Sequence, residues 1–236
     1  IEHIFKRFDD LIVFEDFSMV VDERRVVCIL GPSGAGKSTL LNIISGLITQ
    51  DEGEIRGFAG RSVSYLFQEP RLLPWKNARD NIEFVLKDKM SKSQRERVTA
   101  EYLELVGLGD FKYYYPAKLS GGMKQRVSIA RAFAYPADIL LMDEPFKGLD
   151  PQLKMQLMEA FLNLWQMDRR SVFFVTHDIS EAVMLGEDIL ILSERPARIK
   201  KRIIHPLPHA ARDANSAEML ALEKEIYDCL ESRQGE

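Results

Sequence analysis

The sequence predicts an α/β fold built around a mixed, mainly parallel sheet. Short apolar runs rich in β-branched residues have the length of buried strands, and helical patterns separate them. These runs lie at residues 26–30, 139–142, 172–175 and 189–192. The earlier segments 12–14 and 17–21, with the residues around them, alternate more than these runs, which predicts antiparallel strands at one edge.

Helical signals replace strand signals between about residues 80 and 135. Ser93 and Glu96 match a capping box, and apolar residues follow at helical spacing until Gly107. We therefore predict a helical subdomain at 80–135, inserted into an α/β core made of 1–79 and 136–236. Two later helices are predicted at 152–167 and 217–230, and their apolar stripes are more typical of core packing than of an interaction surface.

Composition limits the possible functions. A chain of 236 residues with 46% hydrophobic residues can bury a core as one domain. The net charge of −4 gives no basic footprint for nucleic acid, and Cys28 and Cys229 lack metal-ligand spacing. No apolar run approaches the roughly 18 residues that span a bilayer. We expect a globular chain that does not itself cross a membrane.

A glycine-rich loop follows the first predicted core strand and precedes a helical pattern that starts near Ser38. Glycines let successive N–H groups point into one concavity, and the helix N-terminus adds a partial positive charge, so the loop suits a polyphosphate. We expect Lys37 to reach the β- and γ-phosphates and Ser38 to ligate Mg²⁺. The predicted nucleotide-binding residues of this loop are Gly31, Pro32, Ser33, Gly34, Ala35, Gly36, Lys37, Ser38 and Thr39.

An acidic pair ends the predicted strand at 139–142. Asp143 is expected at the carboxyl edge of the sheet, where it would support the Mg²⁺. Glu144 follows and is predicted to orient the attacking water or to accept its proton. In isolation such a pair could be a surface turn, but together with the phosphate loop it predicts a catalytic site.

The segment 119–126, Leu-Ser-Gly-Gly-Met-Lys-Gln-Arg, resembles the signature of the ATP-binding-cassette (ABC) ATPases, and the resemblance covers nearly the whole chain. Ser120 and two glycines open a helix there, so a hydroxyl and bare N–H groups again face an anion. The resemblance implies a head-to-tail dimer, in which each ATP lies between the phosphate loop of one copy and the signature of the other. The implied contacts to the nucleotide of the second copy are Ser120, Gly121, Gly122 and Gln125.

The same resemblance assigns further residues. Gln68 matches a glutamine that contacts Mg²⁺ and the water, His177 matches a switch histidine at the γ-phosphate, and Asp150 matches a residue of the dimer interface. Phe8 matches the aromatic that stacks on adenine, although Phe5 lies close by. The chain departs from the pattern at one position: relatives commonly carry a small residue where Lys147 stands, and this lysine could pair with an anion or point to solvent.

Four short segments of the sequence resemble the nitrate/sulfonate/taurine importer branch of this family. These segments are residues 68–75, 79–81, 176–183 and 192–199. The resemblance implies a transmembrane permease as partner, a solute-binding protein acting through it, and a peripheral position on the cytoplasmic face of the cell membrane. Leu72, Leu73 and Trp75 would line the groove for the permease, whereas the alternative for Trp75 is packing within the helical subdomain.

The alternative function is an ABC-type ATPase that powers another process, as an exporter or as a soluble assembly or repair protein. Repair relatives carry a long coiled-coil insertion and translation relatives carry two cassettes, and neither feature is present between residues 1 and 236. The intact Glu144 argues against a nucleotide-binding regulator without turnover. The transported solute is not encoded in any motif of the chain.

Overall fold

A computed structural model describes residues 1–232 of the chain. The strands are β1 (Glu2–Phe8), β2 (Leu11–Phe17), β3 (Val26–Leu30), β4 (Glu52–Glu54), β5 (Val63–Leu66), β6 (Ile139–Asp143), β7 (Ser171–Thr176), β8 (Asp188–Leu192) and β9 (Ile199–Ile204). The α-helices are α1 (Lys37–Ile44), α2 (Ala78–Leu86), α3 (Lys92–Leu105), α4 (Gly121–Ala134), α5 (Pro151–Asp168), α6 (Ile179–Leu185) and α7 (Ala217–Glu231).

The predicted α/β class with parallel and antiparallel pairing is confirmed. All four apolar runs form strands, and every residue of β3, β6, β7 and β8 is buried. Strands buried along their full length need cover on both faces, which parallel strands obtain from the helices between them. The chain forms two compact units, one made of residues 1–61 and 168–236 and the other of residues 62–167.

The first unit contains two groups of strands. β2, β1 and β4 form an antiparallel sheet, while β3 lies between β7 and β8 in parallel register and β9 closes that group in antiparallel pairing. α1 packs on β7, α6 packs on β3 and β7, and α7 packs on α6 and β8. This arrangement sets the carboxyl ends of β3 and β7 side by side.

The second unit contains the parallel pair β5 and β6 and the helices α2, α3, α4 and most of α5. α4 contacts α2, α3 and β5, so it is the helix around which this unit packs. Phe133 of α4 meets Phe161 of α5 edge to face, with 5.5 Å between the ring centroids. The predicted subdomain boundaries at residues 80 and 135 stay a prediction.

Two local predictions were wrong in position. β2 contains the strand predicted at 12–14, but of the strand predicted at 17–21 only Phe17 is in a strand. The partner of β2, strand β1, was missed because its buried and charged residues do not alternate cleanly. The capping box is formed by Ser91 and Gln94, because Ser91 rather than Ser93 takes the extended backbone of an N-cap. Within residues 1–232, no helix combines the length and the apolar character that crossing a bilayer requires.

Candidate functional site

The phosphate loop is shaped by its glycines. Gly34 and Gly36 have φ values of +82° and +96°, a region that favours glycine. A Cβ on Gly36 would lie 2.4 Å from Cγ1 of the buried Val13, so no side chain fits there. The loop therefore keeps a backbone-lined concavity at the start of α1.

Some side chains of the phosphate loop are buried and others are exposed. Lys37 is buried, and its Nζ donates to the carbonyl oxygens of Gly31 and Pro32, each at 2.8 Å. Ala35 is also buried, whereas Ser33 and Ser38 are exposed. Thr39 is half-buried in the first turn of the helix. The lysine thus spans the loop, and the serine hydroxyls face outward.

His177 lies at the same sheet edge as the phosphate loop. β3 and β7 pair in register with Leu30 opposite Thr176, so Gly31 and His177 each come directly after a paired strand end. Thr176 Oγ1 donates to Glu181 at 2.6 Å and accepts from the Asp178 amide at 3.0 Å, which fixes the turn. His177 is exposed on that turn and lines, with Gly31 and Pro32, a cavity of about 850 Å³.

Arg195 is a cation beside the loop that the sequence analysis missed. Its Nη2 lies 3.5 Å from the position that a Cβ would take on Gly34. Arg195 comes from the connection between β8 and β9 and lines the same cavity as His177. Arg195 is far from the phosphate loop in sequence, so residue spacing does not predict the contact. Its place in the segment 192–199, which resembles the importer branch, was the only signal in the sequence.

The acidic pair and Gln68 meet at the carboxyl edge of the second unit. β5 and β6 pair with Leu66 opposite Met142, so Gln68 and Glu144 each lie two residues beyond a paired position. Gln68 Nε2 donates to Glu144 Oε2 at 3.4 Å. Asp143 is buried at the end of β6, and Glu144 adopts a left-handed φ of 47°. The structure thus brings together the predicted base and the predicted water-binding glutamine.

Aromatic stacking supports the segment that carries Gln68. The rings of Tyr65 and Phe67 stack with 4.1 Å between centroids, and the Arg71 guanidinium lies 3.9 Å from the Phe67 centroid. Burial raises the pKa of the Tyr65 hydroxyl, and the negative charge of Asp143 adds to that rise. The phenol therefore stays neutral beside the carboxylate.

The signature segment starts α4 as predicted. Ser120 is the exposed N-cap, and its Oγ accepts from the Met123 amide at 3.2 Å. A serine hydroxyl keeps its own hydrogen when it accepts a capping bond, so Ser120 can still donate to an anion. Gly121 is exposed and Gly122 is half-buried at the same helix end. The exposed helix end has the groups that the predicted second anion-binding surface requires.

α4 also holds the two segments of its unit that carry Gln68 and Glu144. Gln125 is 5% exposed and its Nε2 donates to the Pro145 carbonyl oxygen at 3.0 Å, directly after Glu144. Arg131 donates to the carbonyl oxygens of Pro70 and Arg71 at 2.9 and 3.0 Å, just beyond Gln68. The structure therefore gives Gln125 a role inside its own chain, and its contact with a partner's nucleotide stays a prediction.

Asp150 and Phe8 lie at exposed positions. Asp150 Oδ1 accepts from the Leu153 amide at 3.0 Å and so caps α5. Phe8 ends β1 with 42% of its surface exposed, and Lys6 Nζ lies 5.2 Å from its ring centroid. Asp150 is accessible for the predicted contact with a dimer partner, and Phe8 is accessible for the predicted contact with adenine. Both contacts stay predictions.

The residue set fits a magnesium nucleotide. The loop offers backbone N–H groups in a concavity that a Cβ on Gly36 would disrupt, and Lys37 supplies a positive charge. Ser38 and Asp143 offer oxygen ligands, which magnesium prefers. The loop of the first unit thus has groups that suit a triphosphate, and the second unit has a carboxylate, Glu144, of the kind that can accept a proton from water.

Comparisons with known proteins identify the family of the chain. Residues 14–147 match the ABC transporter family. The chain is 40% identical over 227 residues to an aliphatic sulfonates import ATP-binding protein of Bacillus cereus, covering 93% of this chain and 88% of that protein. It is 44% identical over 193 residues to a taurine import ATP-binding protein of Rhizobium johnstonii, covering 78% of this chain and 73% of that protein.

A solved structure of a cassette shows the same fold. A dimeric post-hydrolysis state of an ATP-binding cassette, bound to ADP and Pi, superposes with a TM-score of 0.77 at 31% identity, covering 86% of this chain and 97% of that chain. The signature segment, the phosphate loop and these relatives agree on one assignment. The chain belongs to the ABC transporter family, as an ATP-hydrolysing cassette that resembles the nitrate/sulfonate/taurine importer branch.

Proposed function

We propose that this chain is the ATPase subunit of an importer that takes up a small solute, such as nitrate, a sulfonate or taurine, through a separate permease. The observation that carries the proposal is the exposed start of α4 at Ser120 and Gly121, a second anion-binding surface on a chain that already has a phosphate loop. One chain therefore carries two phosphate-binding surfaces, which suits a head-to-tail pair of chains. The import relatives support the choice of process.

The first unit binds the nucleotide in this proposal. The N–H groups of residues 33–39 and the Lys37 ammonium hold the phosphates, and Phe8 stacks on the adenine. Ser38, Asp143 and Gln68 would hold Mg²⁺, which when bound neutralises phosphate charge. Lys37 donates to the loop carbonyl oxygens of Gly31 and Pro32, so it exchanges these acceptors for phosphate oxygens on binding.

The second unit supplies the base. Glu144 accepts a proton from the attacking water, and Gln68, which donates to Glu144, helps to orient that water. In the first unit, His177 contacts the γ-phosphate from the sheet edge that also carries the phosphate loop. Ser120, Gly121 and Gly122 contact the nucleotide held by a second copy, and Asp150 lies at the interface between the copies.

The segment around Trp75 is the surface that we assign to the permease. Trp75 is 70% exposed, whereas Leu72 and Leu73 are half-buried. Aromatic residues are enriched at protein interfaces, and here the exposed tryptophan is close in sequence to two partly exposed leucines. Docking there would hold the chain at the membrane by protein contacts, on the cytoplasmic face, and a solute-binding protein would act through the permease.

Uptake by intact cells tests this function. Cells lacking the chain are complemented with the wild type, with Glu144→Gln or with the control Lys92→Met, an exposed lysine of the same unit. Uptake of labelled taurine, an alkanesulfonate and nitrate is then measured. We expect the wild type and the control to restore uptake of one of these solutes and Glu144→Gln to fail. Uptake of all three solutes that is independent of the chain would contradict the importer assignment.

A further inference from the structure

Lys147 makes an ion pair with the catalytic carboxylate. Its Nζ contacts Glu144 Oε2, the same oxygen that accepts from Gln68 Nε2 at 3.4 Å. The Glu144 side chain is 12% exposed and that of Lys147 is 49% exposed. The ammonium therefore covers a largely buried carboxylate from its solvent side.

The backbone between the two residues favours this pair. Glu144 has a left-handed φ of 47°, and the Lys147 amide donates to the Glu144 carbonyl oxygen at 3.3 Å, which closes a tight turn. Phe146 is buried and the Pro145 carbonyl oxygen accepts from Gln125, so the turn is anchored on both sides of its centre. The turn therefore holds the backbone of Lys147 close to the carboxylate of Glu144.

This contact conflicts with the task of a general base. Glu144 must offer a carboxylate lone pair to the attacking water, and Lys147 and Gln68 compete with that water for Oε2. An ammonium attracts a partly buried carboxylate more strongly than water does. Oε2 meets less competition for the attacking water once Lys147 exchanges Glu144 for another partner.

We propose that Lys147 is a positioning residue that restrains Glu144 in the resting chain and slows ATP hydrolysis until the contact is broken. The proposal rests on the base role of Glu144 given above. It assigns a function to Lys147, a position at which the sequence departs from the family pattern that it resembles. A small residue at position 147 has no group that could hold the carboxylate.

Steady-state ATPase measurements on the full chain at saturating ATP test the restraint. We expect Lys147→Met to raise kcat about fivefold, the order of effect expected of a half-exposed ion pair, and to leave KM for ATP within about twofold. Lys147→Arg keeps the cation and should keep the low kcat. Lys92→Met is the control for loss of an exposed lysine and should match the wild type. A kcat of Lys147→Met that equals or falls below that of the wild type would overturn the proposal.

The Glu144→Gln variant separates this proposal from the base role. Turnover retained in Glu144→Gln refutes the base itself, whatever Lys147→Met does. If turnover is lost, Glu144→Gln combined with Lys147→Met must be as slow as Glu144→Gln alone. A faster double variant would show that Lys147 acts elsewhere and would overturn the restraint.

The ion pair also has a readout that does not depend on activity. Proton exchange of the Lys147 ammonium is followed by ¹H–¹⁵N spectroscopy, with Lys147→Arg identifying the signal. We expect a signal protected from exchange in the wild type and accelerated exchange in Glu144→Gln. Equal exchange in the two proteins would contradict the contact.

Discussion

The phosphate loop of the first unit and the edge of the second unit that carries Glu144 are built from different groups. In the first unit the phosphate loop is made of backbone: Gly34 and Gly36 take positive φ values, and Lys37 bonds to loop carbonyl oxygens. In the second unit the proposed catalytic site is made of side chains, because Gln68 and Lys147 both contact the carboxylate of Glu144.

This difference predicts how each region tolerates substitution. A backbone site fails when an added atom changes the path of the chain, since its N–H groups then point elsewhere. A site made of side chains keeps its backbone when one group is replaced, and it loses only the chemistry of that group. Binding and folding should therefore be most sensitive in the first unit, and turnover in the second.

The largest expected effect is that of Gly36→Ala. The added Cβ would lie 2.4 Å from Val13 Cγ1 at a φ of +96°, so we expect a loss of about 3 kcal/mol in the free energy of unfolding and of nucleotide binding. Urea unfolding and fluorescent ATP binding measure both quantities. Gly57→Ala is the matched control, with a φ of +83° and no atom within 4 Å. Its cost should be about 1 kcal/mol. Equal costs for the two variants would contradict the role of the close contact.

Asn81→Ala should have the next largest effect, on the second unit. Asn81 has no exposed surface, and its amide bonds to the backbone of Leu73, Lys76 and Asn77, which hold the segment around Trp75. Leaving these buried groups without a partner should cost about 2 to 3 kcal/mol of unfolding free energy. The exposed Asn163→Ala is the control and should change stability by less than about 0.5 kcal/mol. A similar small change for Asn81→Ala would show that water replaces its bonds.

Acid should destabilise the first unit through His205. Burial, with a smaller contribution from the charge of Arg212, lowers the pKa of His205 from 6.5 to about 4. Because the unfolded chain binds this proton first, the stabilising contribution is complete above pH 6.5 and is lost as the pH falls towards 4. Urea unfolding at pH 7.5 and pH 5 should show a decrease that is smaller in His205→Gln by roughly 1 kcal/mol.

His3 is the control for this pH dependence. The Asp16 carboxylate raises the pKa of the exposed His3, so its contribution has the opposite sign: it is present below pH 6.5 and is lost as the pH rises. His3→Gln should therefore not reduce the acid loss. An identical acid loss in the wild type and in His205→Gln would rule out the buried histidine as its cause.

The smallest effect on stability is expected at Trp75. Trp75 is 70% exposed and Trp165 is 2% exposed, so Trp75→Phe should change the unfolding free energy by less than about 0.5 kcal/mol. The substitution should shift the tryptophan emission maximum to shorter wavelength, because only the buried Trp165 then emits. An unchanged emission maximum would place Trp75 in the core and would remove it from the permease surface.

The sequence predicts the parts of this molecule that depend on local pattern. Strands such as β3 and β7 are continuous apolar runs, and the phosphate loop is a spacing of glycines that one backbone path satisfies. β1 was missed because its buried and charged residues mix without a clean alternation. Ser91 and Ser93 both begin a capping pattern, and only the backbone conformation chooses between them.

Contacts that depend on tertiary geometry could not be predicted in this way. The pair of Lys147 and Glu144 requires the left-handed backbone of Glu144, which is unusual for a non-glycine residue. Arg195 approaches Gly34 from the connection between β8 and β9. Neither contact has a signature in residue spacing, although the departure at Lys147 marked the position as unusual.

The mass of the chain in solution tests the central claim, that one active site is shared by two copies. Light scattering on Glu144→Gln with and without ATP, alone and combined with Ser120→Arg, is the most direct measurement. We predict that ATP converts Glu144→Gln to a dimer without turnover, whereas the double variant binds ATP with similar affinity and stays monomeric. A dimer that survives Ser120→Arg, or loss of ATP affinity in the monomer, would contradict the shared site.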